Sequence, residues 1–246
     1  MAIKIIDTEL QTAASADTQD SGFPASNVLT DVTAERYQNT AGDNTATLTI
    51  SASAGGADTF GVAYTNATSI VWTAKNGAGA SVGTGTINLT SPRSVDRVWQ
   101  EFTAQAGACS VELACTAPAG TTLYLGAVRV GKRFSISGAI ESLDEDMIDH
   151  SIRVPLSAPG AEYIELLRML RSFSLTVRES QSVWYAFRAI YRTHGPTPLF
   201  ILLSDEFGTT ENNENTIFGK IDIPPKSKYT RGGGQVYTTI NILEAG

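Results

Sequence analysis

The chain has 246 residues, enough for one large β fold or for two domains, and its 18 basic and 25 acidic side chains leave a formal charge of −7. That balance, with no basic cluster anywhere, argues against a protein whose main task is gripping nucleic acid or an anionic membrane. Met1 to Leu10 carries one lysine and no apolar run of signal-peptide length, and no later stretch approaches membrane-spanning length, so a soluble protein made in the cytoplasm is expected. Charge is uneven along the chain. Residues 1–130 hold 6 basic and 11 acidic side chains in a background of Ala, Thr, Ser and Gly, whereas residues 131–246 hold 12 and 14, which points to a domain boundary near Gly131.

Residues 8–45 are polar and punctuated by Gly22-Phe23-Pro24 and Gly42-Asp43-Asn44, and they are expected to be irregular. Strand signals then follow quickly. Leu48 and Ile50 alternate with threonines, and Phe60, Val62, Tyr64, Ile70, Trp72, Ile87, Leu89, Val98, Phe102, Val111, Leu113, Leu123 and Leu125 continue the pattern between Gly, Asn and Pro turns. About eight short strands without a convincing helix predict a jelly-roll β-sandwich. The only cysteines, Cys109 and Cys115, share one face of a strand about 20 Å apart, too far for a disulfide, so two buried free thiols are expected.

The second half alternates Phe134, Ile136 and Ile140, then Ile152, Val154 and Leu156, around the acidic segment Ser142 to His150, which predicts a solvated loop. Residues 161–172 are expected to form an extended arm leading into a strand at Phe173, Leu175 and Val177. Ser180 to Arg192 is the one well-marked helix. Val183, Trp184, Phe187, Ile190 and Tyr191 share a face, Ser180 can cap the start, and Gly195-Pro196 ends it, giving a helix over about residues 180–193 that should pack on a sheet. LFILL at 199–203, a short strand at 217–221 stopped by Pro224-Pro225, and a last strand at Val236 to Ile242 complete the chain, with a polar loop at 204–216 and a flexible Gly232-Gly233-Gly234. The fold class is therefore mainly β: a jelly-roll β-sandwich over residues 1–130, then a β-sandwich or split-barrel-like domain with one packed α-helix over residues 131–246.

SGFPASNVLTDVTAERYQNT resembles the opening of discoidin-like, galactose-binding-like sandwiches, with Pro24, Ala25, Asn27, Leu29 and Asp31 in that pattern and Tyr37 where Trp is more usual. Asn27 and Asp31 can close Asx turns that pin the loop over the end of the sandwich. The resemblance implies that such a loop can hold calcium, for which Asp31, Asp43 and Asn44 could supply oxygens; turn-making is the expected role, with no metal. Residues 127–246, from AVRVGKRF through RSFSLTV, the helix, PLFILL and TIFGKI to the last strand, resemble the distal tail and minor tail proteins of tailed bacteriophages. Those proteins place the ring-forming domain first, whereas the matching segments stand last in this chain.

What the second resemblance implies is a structural component of a phage or prophage tail tip, located in the virion. It would form or join a ring around the tail channel with copies of itself and connect the tail tube to other tail-tip proteins. The alternative is a carbohydrate-binding module contacting host-surface glycans, with Tyr37, Trp72 or Trp99 available to stack on sugar rings. No enzyme is expected. The only histidines are His150 and His194, Asp144, Glu145, Asp146 and Asp149 crowd beside the first without a second converging cluster, and neither a GxSxG, HExxH or CxxC motif nor a Walker loop is present. No catalytic, cofactor or metal site, no sequence-specific nucleic acid partner and no membrane insertion are expected.

Overall fold

A computed structural model of the chain describes residues 2–32, 35–89, 96–149, 152–155, 162–165, 169–195, 197–203, 215–229 and 234–245. The protein is mainly β, with antiparallel sheets, one helix and no closed barrel among these residues. It divides into two compact units, Met1–Ser137 with Leu199–Phe218, and Gly138–Pro198 with Gly219–Gly246.

The first unit is a β-sandwich. One sheet runs β2 (Gln11–Ala16), β4 (Thr45–Ala52), β9 (Cys109–Thr116), β6 (Ser69–Asn76) and β7 (Ser81–Asn88). The other runs β15 (Leu199–Leu202), β1 (Ile3–Glu9), β10 (Tyr124–Ile136), β5 (Ala57–Thr65) and β8 (Arg97–Gln105), with β3 (Tyr37–Gln38) beside the start of β10. Alternation explains the core: Leu48 and Ile50 of β4, Val111 and Leu113 of β9, and Ile70 and Trp72 of β6 join Phe60, Val62, Val98, Val128 and Val130 from the facing sheet. Trp72 meets Phe60 edge-on, their ring centroids 5.5 Å apart. The second sheet is also buried on its far side. Phe200 lies over Gly61, where a Cβ would come within 2.5 Å of the ring, and Phe218 packs against Phe200 and Tyr64.

Several expectations are corrected here. Gln11–Ala16, within the stretch 8–45 expected to be irregular, is a strand because it finds an antiparallel partner in β4, and Ile3–Glu9 pairs with β10. Gly131, near which a domain boundary is expected, lies within β10, which runs on to Ile136. Gly131 is where β1 comes closest, since a Cβ there would sit 2.1 Å from the Thr8 carbonyl oxygen.

In the second unit the sheet order is β11 (Ala139–Asp149), β14 (Met169–Ser180), β17 (Gln235–Glu244) and β16 (Thr216–Tyr229). β12 (Ile152–Pro155) and β13 (Glu162–Glu165) pair only with each other among the described residues, Val154 opposite Tyr163. Helix α1 (Gln181–His194) packs on β14 and β17. Its buried side chains Trp184, Phe187 and Ile190 share this core with the cross-strand pairs Phe173–Ile242 and Leu175–Ile240. Ser180 caps the helix by accepting from the Val183 N–H at 3.4 Å, and Gly195, at φ +58°, ends it by donating to the Tyr191 carbonyl at 2.8 Å.

The acidic segment expected to be a loop is instead strand β11. Pairing with the apolar alternation of β14 sets its conformation, while Glu141 to Asp146 all remain exposed. Pro224-Pro225 does not stop β16. The ladder to β17 shifts register between Ile223 and Lys226, so the prolines occupy an irregularity where no ladder N–H is required. The strand part of the expected arm is seen in β13 and β14. His150, residues 156–161 and 166–168, Pro196, the loop at 204–214 and Gly232-Gly233 lie outside the described residues.

Candidate functional site, a clasped loop on the β-sandwich

The segment from Asp17 to Asn44 is long, polar and held at many points. Asp17 accepts from the Thr18 and Thr47 N–H groups, and Asp20 accepts from the Gly22 N–H at 2.8 Å, closing an Asx turn before Phe23. Phe23 then exchanges backbone hydrogen bonds with its surroundings, donating to Asp20 and accepting from Gln38. Gln19 accepts from the Ala25 N–H at 3.0 Å, which starts the 3₁₀ turn Ala25–Leu29, and the Asn27 amide donates to the Arg36 carbonyl at 3.2 Å.

Arg129 on β10 closes this loop from beneath. Its side chain is 1% exposed, and it donates to the carbonyls of Val28 at 3.0 Å, Thr30 at 2.9 Å and Val128 at 3.0 Å. Two carboxylates balance its charge: Asp31 at 2.6 Å and Glu9 at 3.1 Å. A buried guanidinium requires this combination of fixed acceptors and counter-ions. Tyr37 adds a second anchor. It is fully buried, its hydroxyl donates to the Thr18 carbonyl at 2.7 Å, and burial pushes the phenol up to about 12. Nothing in the sequence marked Arg129 as the partner of a loop almost a hundred residues earlier; its position in an otherwise apolar stretch, LGAVRVG, was the available signal.

Two apolar side chains of this polar segment are exposed. Phe23 is 36% exposed and Val32 52%, and the Arg36 guanidinium lies 4.6 Å from the centroid of the Tyr124 ring. The aromatic residues offered by the sequence for sugar stacking are not available for it. Tyr37, Trp72 and Trp99 are buried, Tyr37 under the loop, Trp72 against Phe60 and the glycines of β7, and Trp99 donating to Glu101 at 3.2 Å. Of the three oxygen donors considered for calcium, Asp31 pairs with Arg129, while Asn44 is tied down through its amide N–H, which donates to the Ala117 carbonyl at 2.9 Å, and Asp43 through its backbone carbonyl, which accepts from the Leu123 N–H. No group of three His, Cys, Asp or Glu side chains able to hold a metal occurs among the described residues.

The remaining polar candidates are dispersed. Asp144, Glu145 and Asp146 line β11, and His194 ends α1, whose C-terminal cap is made by Gly195. Cys109 and Cys115 are buried free thiols on β9, and burial pushes the Cys115 thiol up to about 12, which keeps it protonated and unreactive.

No family model matches the chain, and no curated protein matches it. Solved structures do. A chitosan-binding module from a chitosanase/glucanase of Paenibacillus sp. IK-5 is 18% identical, over 50% of this chain and 97% of that one, with a TM-score of 0.41. The lectin domain of lectinolysin, complexed with Lewis B antigen, is 15% identical over 52% and 95%, with a TM-score of 0.40. A fucose-binding module of Streptococcus pneumoniae is 13% identical over 50% and 95%, with a TM-score of 0.39. The assignment of the first unit as a β-sandwich follows from its own strand register and core.

Proposed function

We propose that this chain is a non-catalytic binding protein whose first unit engages a carbohydrate at the clasped loop, with Phe23 as the apolar platform beneath a sugar ring. The observation that carries this reading is the combination of an exposed aromatic ring with a loop already fixed by Arg129, Tyr37 and the Asx turn at Asp20. Weak, selective binding of a hydrated ligand is helped when the protein side has little ordering left to do. An exposed aromatic face on a polar loop suits a ligand with one apolar face and a polar rim. Screening the full chain against a glycan array tests the reading. Binding to a defined set of glycans that is lost in Phe23→Ala supports it, and an array with no binding overturns it.

A second reading is a structural role in the tail tip of a phage or prophage virion. It is favoured by one observation: strand β14, capped helix α1 and apolar strand β15 follow one another in the order that carries the sequence resemblance. In that reading the protein assembles with copies of itself and with tail-tube and tail-tip proteins. Electron microscopy of the purified chain checks it, closed rings supporting it and uniformly single particles contradicting it.

A further inference from the structure

The second unit leaves two large apolar side chains exposed among its described residues, Leu143 at 41% and Tyr185 at 51%, and they stand in opposite electrostatic settings. Leu143 lies on β11, which contains Glu141, Asp144, Glu145 and Asp146 and no basic residue. The exposed contact of Glu141 with Arg178 at 3.3 Å costs little to rearrange, and Glu145 stands 4.0 Å from Arg171, whose guanidinium also lies 3.6 Å from the buried Glu244. Tyr185 lies on α1, whose sequence contains two arginines and no acidic residue. Arg188 and Arg192 follow it at three and seven positions, so all three share the exposed helical face opposite Trp184, Phe187 and Ile190. A hydrogen bond of 2.7 Å from the Gln181 amide to the Tyr185 hydroxyl fixes the ring.

We infer that these surfaces are the two halves of one contact between copies of this chain: the Tyr185–Arg188–Arg192 stripe of one copy docks on the Glu141–Glu145 segment of a second. Each surface alone repels its own kind, and each supplies what the other lacks, an apolar centre flanked by the opposite charge. Tyrosine and arginine are also the residue types that protein interfaces favour. Two complementary surfaces on one chain pair either reciprocally in a two-fold dimer or head-to-tail in a ring or filament, and the assembly reading calls for the head-to-tail form. The inference rests on the assembly reading and is independent of glycan binding.

Sedimentation velocity of the full chain, over a range of protein and salt concentrations, tests it with two charge-reversed variants, Arg188→Glu/Arg192→Glu and Glu141→Lys/Glu145→Lys. The wild type is expected to associate as concentration rises and to dissociate as salt screens the contact. Each variant alone should remain monomeric at concentrations where the wild type associates. An equimolar mixture of the two should associate again, because the acidic helix of one meets the basic strand of the other; that recovery excludes misfolding as the cause of the loss. A wild type that stays monomeric throughout overturns this inference together with the assembly reading. Association that survives in both variants, or that is lost without recovery on mixing, overturns this inference and leaves the assembly reading standing.

Discussion

Replacing Arg129 by Met would leave the carbonyls of Val28, Thr30 and Val128 without their donor in a buried site. Each orphaned acceptor costs roughly 1–3 kcal/mol, offset in part because Glu9 and Asp31 are exposed enough to be hydrated. A net loss of about 3 kcal/mol is expected in urea unfolding, with faster amide exchange at Asn27 and Thr30 as the loop loosens. Asp31→Asn, at a half-exposed position, should cost under about 1 kcal/mol. Tyr37 and Cys115 make a prediction about pH. Their folded values are raised to about 12 from ordinary values of 10.0 and 9.0 by burial, so the unfolded chain releases these protons first. Their contribution to stability is therefore complete below pH about 9 and falls as pH rises toward about 12. Cys115→Ala should flatten part of that decline in denaturation measured across the alkaline range, whereas an equally steep decline would show that burial of the thiol is not its cause.

At the scale of the elements, the sequence made plain whatever depends on local periodicity. The alternation of β4, β6 and β9 and the helix with its Ser180 cap and Gly195 stop lie where apolar spacing and end signals placed them. Features decided by a distant partner were not legible. Gln11–Ala16 has the composition of a linker and becomes a strand because β4 offers an edge, and β11 reads as a solvated acidic loop until β14 pairs with it. The clasp was half legible: Asn27 and Asp31 marked a pinned loop, but its anchor arrives from β10. Trp184→Ala should cost about 3–5 kcal/mol if the buried α1 face holds the second unit together, and Ser180→Ala about 1 kcal/mol through the lost cap, both read by chemical denaturation. Gly131→Ala should cost at least about 2 kcal/mol because β1 must move away from a new methyl group, whereas Gly107→Ala, with open space around it, should stay within about 0.5 kcal/mol.

For the whole molecule, the net charge of −7 disguises local specialisation: an acidic strand, a cationic helix face and, on the first unit, an apolar loop tip held by a buried arginine. Each of these arrangements is suited to holding a partner, and carbohydrate binding at the clasped loop is the reading proposed for the first unit. The most direct test is calorimetric titration of the strongest array glycan into the wild type, Phe23→Ala and the distant exposed-residue control Val71→Ala. Carbohydrate binding at the clasped loop predicts at least a tenfold loss of affinity, about 1.4 kcal/mol, in Phe23→Ala and no change in Val71→Ala. Equal affinity in wild type and Phe23→Ala, or no glycan bound at all, would contradict it.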